Sequence, residues 1–367
     1  PYYFQLVPSY FWDASFFMKM GINLMMRSLD SSPFITTSIH NYLWNITDPL
    51  LDISEKLAPS LVPTKNVAIL NRVYADFVDN VTVYIGPKFG HHKFFLIDKY
   101  DGSENLPHLG DKCVAKVVDT SEGISYPQYL TKNDTLRYWR KGICKTADLH
   151  YTNDIEKYGV NAYKFELASS MYDRTTPSYD DCYRGCQDCP MDCPMYRNAI
   201  LLSKLYHFIP KYVSGMSFAV SFPHFLYGDD VLKNYVDGLK PDHEKHQSYV
   251  IVEPNTGIPL HGVARSQVNL LMRDMSGYNE KIRKFSNLAI PLIWMEYNQV
   301  GIPSYIQSLI YFVVILVPIL QYIFTVFALL VGSFIVFHFA RKKKRSKNNL
   351  VMNKTLTFES EVFLKPS

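Results

Sequence analysis

Between Tyr297 and Ala340 the chain holds no Asp, Glu, Lys or Arg, and "YIQSLIYFVVILVPILQYIFTVFALLVGSFIVFHFA" is apolar almost throughout. About 20 apolar residues suffice to cross a bilayer, and a helix is the form in which a lone segment satisfies its own backbone N–H and C=O groups there. The run predicts one membrane-spanning helix over 304–340, with room for tilt but not for a second pass, and a kink at Pro318. Upstream, "FWDASFFMKMGINLMMRSL" and "ITTSIHNYLWNITDPLLDISEKL" space apolar residues at mixed i, i+3 and i+4 intervals, predicting amphipathic helices over 1–57 with a break at Ser31-Ser32-Pro33. Their bulky residues Phe16, Phe17, Met18, Met20, Met25 and Met26 suit either an adaptable contact surface or ordinary packing between helices. From about residue 65 the pattern changes to short runs, "NVAIL", "NVTVYIG", "KFFLIDKY" and "AYKFELA", which predict strands separated by turns such as "DGSEN". The clearest pair is "SYVIVEPNTGIPLHGVARSQVNLLM", two strand-like runs around the turn Pro254-Asn255-Thr256-Gly257.

Charge gives the predicted span a direction. Residues 341–347, "RKKKRSK", hold six bases and no acid. The positive-inside rule places 341–367 in the cytoplasm, where each base gains on the order of 1 kcal/mol from anionic lipid, and leaves 1–303 on the extracellular or luminal side. Three sequons lie before the span, at Asn45, Asn80 and Asn133, and are candidate glycosylation sites; a fourth, at Asn353, falls in the tail and is expected to be silent. The net charge of +4 comes largely from the tail, so the region before the span is near neutral and makes no case for a nucleic-acid partner. In a chain of 367 residues, 47% of them hydrophobic, the 303 residues before the span can bury a substantial core. The chain starts at Pro1 without a basic segment followed by an apolar one, so an N-terminal signal or anchor is expected to precede it.

All six cysteines, Cys113, Cys144, Cys182, Cys186, Cys189 and Cys193, precede the span. On the oxidising side of a membrane an even set reads as disulfides, for which six cysteines permit 15 pairings. The compact group "CYRGCQDCPMDCP" would suit an iron–sulfur or zinc site in a cytosolic chain, but its placement before the span favours disulfides, with no metal and no cofactor expected. No G-x-S-x-G elbow, P-loop or G-x-G-x-x-G occurs, so no enzyme is predicted. His243-Glu244-Lys245-His246 spaces its histidines three apart rather than four and reads as a solvated loop; His91-His92 reads as a polar turn after Gly90.

Several segments, in order along the chain, resemble one family: "HNYLWNITDPLL" (40–51), "YDGSENLPHL" (100–109), "AYKFELASSMY" (162–172), "SFPHFLYGDDVL" (221–232), "DGLKPDHEKHQSYVIVEPNTGIPLHGVARSQVNLLM" (237–272) and "IPLIWMEYNQVGI" (290–302). Together they are similar to the class B scavenger receptor family. The resemblance implies an α+β ectodomain over 1–303 with an antiparallel β-barrel core, an apical helical bundle within 1–57, an apolar tunnel, and membrane helices near both termini. It pairs Cys113 with Cys182, Cys144 with Cys193, and Cys186 with Cys189. It also points to ligand contacts on the apical helices, at Phe16, Phe17, Met20, Met25 and Arg27. Where some members carry lysines before the next helix, this chain has Ser28 and Asp30.

The implied function is a receptor in the plasma or lysosomal membrane that binds lipids, fatty acids, sterols or lipoproteins and passes apolar cargo to the bilayer. A lysosomal sorting receptor that grips a luminal enzyme through its apical helices is the alternative. The tail separates the two weakly, since "ESEVFL" (359–364) has Phe363 where a dileucine signal has its first leucine.

Overall fold

The computed structural model describes residues 2–4, 7–46, 49–57, 80–104, 117–140, 145–172, 200–201, 217–234 and 236–362. They fall into two units, residues 1–157 with 161–301, and residues 158–160 with 302–367. All six cysteines, and the strand expected at "NVAIL", lie outside the described residues.

The first unit opens with four helices, α1 (Val7–Tyr10), α2 (Phe16–Ser28), α3 (Ile39–Trp44) and α4 (Pro49–Leu57). Ser15 and Ser38 start α2 and α3 by accepting the free N–H groups of Met18 and Asn41. Two three-residue strands, β1 (Tyr2–Phe4) and β2 (Phe34–Thr36), pair antiparallel among these helices. The helical expectation for 1–57 missed them because three residues are too few to display a period. One face of α2 sends Ile22 and Met26 into the main core, where they join Phe165, Phe222, Leu270 and Met275. Its polar flank is tied to residues 276–279. Asn23 Nδ2 donates to Gly277 O at 2.8 Å, Asn23 Oδ1 accepts the Asn279 N–H at 2.9 Å, and Lys19 Nζ reaches Ser276 O at 3.2 Å.

β3 (Val81–Val83) and β4 (Ile97–Tyr100) form a small antiparallel ribbon. The main sheet contains β5 (Thr135–Arg140), β6 (Lys145–Lys157), β7 (Val160–Leu167), β8 (Ile200–Leu201), β9 (Ser217–Ser221), β10 (Tyr249–Val252), β11 (Pro259–Leu271) and β12 (Ala289–Asn298). Pairing runs β5-β6-β7-β10-β11-β9-β8, with β12 branching from β11. β11 organises this pattern: one edge pairs first with β10 and then with β9, while the other pairs with β12 over Val263–Leu271. Flanked on both sides, it is buried continuously from Ser266 to Leu271. Its polar members Gln267 and Asn269 survive burial by bonding each other at 2.8 Å, with Asn269 also donating to Ser221 Oγ at 3.0 Å.

The expected closed barrel is corrected to an open, branched sheet. Among the described residues β5 and β8, the ends of the path, do not pair with each other. With β12 branching from β11, the described sheet has three free edges, β5, β8 and β12, and none of them pairs with another.

The predicted hairpin is present as β10 and β11. Its turn is built on Glu253, which is fully buried and accepts four hydrogen bonds, from Asn255 N and Nδ2 and from Thr256 N and Oγ1, at 2.6–3.1 Å. Gly257 holds φ +73°, and a side chain there would collide with the Tyr126 carbonyl.

In the second unit an α-helix over Ser304–Tyr311 passes through a π-turn, 312–316, into a helix over Val317–Val362. The segment is long and apolar enough to cross a membrane. Val317 N–H bonds to Phe312 O, five residues back. Pro318 has no N–H to offer Val314, and the widened turn sits immediately before it, where the sequence predicts a kink. The helix does not end at Ala340 but continues through the basic run.

Candidate functional site

Against one end of the sheet, β5, β6, β7, β10, β11 and the end of β12 bound a half-open cavity of about 450 Å³, with the loop 121–130 along its rim. The loop is stitched down by its backbone. Ser121 exchanges hydrogen bonds with Arg137 O and Trp139 N at 2.8 Å, Tyr126 N donates to Gly257 O at 2.8 Å, and Leu130 N donates to Pro254 O at 2.8 Å. The Glu253 turn therefore holds the loop as well as the hairpin, and this explains why Gly257 must be a glycine.

Its walls are Leu149, Leu167, Val250 and Val263 together with Tyr126, Tyr138, Tyr249 and Tyr297. Ser248 and Gln299 supply the remaining uncharged polar groups, and Glu122 is the one lining residue with a carboxylate. Tyr126 is 3% exposed, and burial, reinforced by Tyr138, pushes its phenol far above its ordinary range, so it stays a neutral donor. Such a site can hold an apolar body and orient one uncharged polar group.

The predicted ligand residues lie elsewhere. Phe16 and Phe17 on α2 are 68% and 76% exposed, Met20 and Arg27 are exposed, and Met25 packs partly against the core; none lines the cavity. The three sequon asparagines are all exposed, Asn45 at the end of α3, Asn80 before β3 and Asn133 in the turn before β5. Among the described residues no group of three or more His, Cys, Asp or Glu side chains is arranged to hold a metal ion.

Residues 243–246, expected as a solvated loop, instead form one helical turn capped by the Asp242 carboxylate, and His246 is buried. Its ring stacks on that of His224 with Trp294 edge-on at 5.9 Å. His243 meets Glu166, which also holds Lys164 at 2.6 Å. Sequence reasoning missed this cluster because the two stacked histidines come from separate segments, and its only outward sign was the histidine content of 243–246.

The sequence pattern of the CD36 family matches residues 3–342. Scavenger receptor class B member 1 of Rattus norvegicus is 23% identical over 283 residues, covering 76% of this chain and 52% of that protein. Lysosome membrane protein 2 of Rattus norvegicus is 22% identical over 265 residues, 72% of this chain and 52% of that protein. Sensory neuron membrane protein 2 of Drosophila melanogaster is 25% identical over 209 residues, 54% of this chain and 36% of that protein. The chain spans about half the length of the first two of these relatives.

Proposed function

The chain belongs to the CD36 family of class B scavenger receptors, and from that premise we propose that it is a membrane receptor that takes lipid or lipoprotein-borne cargo into its β-sheet domain and passes it to the bilayer. The observation that supports this most is the cavity, whose walls are mainly aliphatic and tyrosyl. Apolar cargo would enter because burial favours it by roughly 25 cal/mol per Å² removed from water, with no bond made or broken. The tunnel and the apical bundle of the resemblance belong to this proposal.

In the proposed topology residues 1–303 lie outside the cytosol, 304–340 span the membrane and 341–367 face the cytoplasm, in agreement with the basic run after the span. Glycans on Asn45, Asn80 and Asn133, and disulfides among the six cysteines, go with that placement, and the pairing Cys113–Cys182, Cys144–Cys193 and Cys186–Cys189 is the one the family resemblance implies.

A second reading, a lysosomal membrane receptor for a luminal protein, is supported by the exposed Phe16 and Phe17 of α2 and by a relative named as a lysosome membrane protein. Uptake of a fluorescent lipid by expressing cells, with Ala264→Trp as a cavity-filling variant, tests the first reading. Uptake falls to the level of untransfected cells if cargo passes through the cavity. Undiminished uptake by the variant at equal surface level sinks it.

A further inference from the structure

We infer that the cavity beneath the 121–130 loop selects uncharged lipids, such as sterols and long-chain alcohols, over fatty-acid anions. The inference rests on the lipid-carrying reading above and specifies its cargo.

Among the described residues the lining contains no Lys, Arg or His, and its one carboxylate is that of Glu122. Lys164 stands over the Tyr249 ring, 4.8 Å from its centre, but is not itself part of the lining and is held by Glu166 at 2.6 Å. An ionised carboxylate moved from water into such walls gains no counter-charge, so it binds poorly or takes up a proton first.

A hydroxyl has no such difficulty. It donates one hydrogen bond and accepts others, and the lining offers both functions in the phenols of Tyr126 and Tyr138 and the Gln299 amide, while the Ser248 hydroxyl is taken up by the Arg265 backbone. At about 450 Å³ the space is within the roughly 300–1,000 Å³ typical of small-molecule sites. The walls therefore discriminate by charge at one end of a ligand whose apolar remainder they accept without distinction.

The test compares two ligands that share a chain and differ in headgroup. The protein is reconstituted in phosphatidylcholine nanodiscs and titrated with radiolabelled hexadecanol and palmitate, each corrected for its partition into empty nanodiscs. At neutral pH the alcohol binds on the order of tenfold tighter or more, and the gap closes in acid as palmitate enters protonated. Gln299→Lys, which sets a cation in the lining, narrows the gap on the order of tenfold. Equal affinities at neutral pH, or a gap that Gln299→Lys leaves unmoved, overturn the inference while the lipid-carrying reading stands. Binding of neither ligand overturns both.

Discussion

The imidazoles of His224 and His246 lie face to face, 4.4 Å apart and within 14° of parallel. Each offers its Nδ1 to a backbone N–H, His224 to Lys240 at 3.1 Å and His246 to Asp242 at 2.9 Å. Both rings thus accept a backbone N–H at Nδ1. A proton on either Nδ1 would break its bond, and protons on both rings would press two cations together.

The pH dependence follows with a definite sign. Burial first, then the neighbouring His224, hold His246 below its ordinary value of 6.5; Arg265 and Lys245 act in the same direction and Asp242 against them. The other histidine of this turn, His243, pairs with Glu166. With the folded value depressed, the unfolded chain binds more protons in acid, so the contribution of His246 is complete above about pH 6.5 and lost as pH falls through the folded value. Thermal unfolding midpoints are expected to drop on acidification below about pH 6.5, with a shallower drop in His246→Gln, which keeps an acceptor for the Asp242 N–H. An identical drop in the variant would refute the assignment.

Removal of the Glu253 carboxylate should be costly. Glu253→Ala leaves the Asn255 and Thr256 donors without their acceptor inside a closed turn, and about 2–4 kcal/mol of stability is expected to go. Denaturant unfolding reads this directly; a loss under about 1 kcal/mol would show that water replaces the carboxylate.

Gly257→Ala should act at a distance from its own turn. Its positive φ and the neighbouring Tyr126 carbonyl leave no room for a methyl group, so the 121–130 loop must lift. Hydrogen exchange at the Tyr126 and Leu130 amides, which bond to Gly257 O and Pro254 O, is expected to accelerate by about tenfold or more. Unchanged protection there would mean that the loop is held by something other than this turn.

Asn23→Ala removes both the bond to Gly277 O and the acceptor for Asn279 N–H. Because Ile22 and Met26 still anchor α2, the expected loss is only about 1–2 kcal/mol. Limited proteolysis should then cut within 16–28 sooner than in the parent, and an unaltered cleavage rate would contradict this account.

What was legible in the sequence were the features written locally. The long C-terminal helix needs only an uninterrupted apolar run, and the β10–β11 hairpin only strand-like runs around Pro254-Asn255-Thr256-Gly257. The family itself was legible from the ordered segments, above all 222–272. The open branching of the sheet was not, because β11 pairs with β9, β10 and β12 through contacts that no window of sequence contains. Nor was the cavity, whose Tyr138, Tyr249 and Tyr297 come from three strands and read singly as ordinary strand aromatics. The stacking of His224 on His246 is of the same kind, and it turned an apparently solvated stretch into a buried one.

The π-turn ahead of Pro318 sets the angular phase of the whole helix beyond it. One additional residue in a turn advances every later side chain by about 100° around the axis. If 312–316 relaxed to α geometry with no residue removed, the aromatic side chains at Tyr322, Phe324 and Phe327, and the cations from Arg341 onward, would face different neighbours relative to Tyr305. Deleting a single residue within 312–316 as the turn returns to α geometry would instead leave those faces in place. The segment is thus keyed by rotation as well as by length.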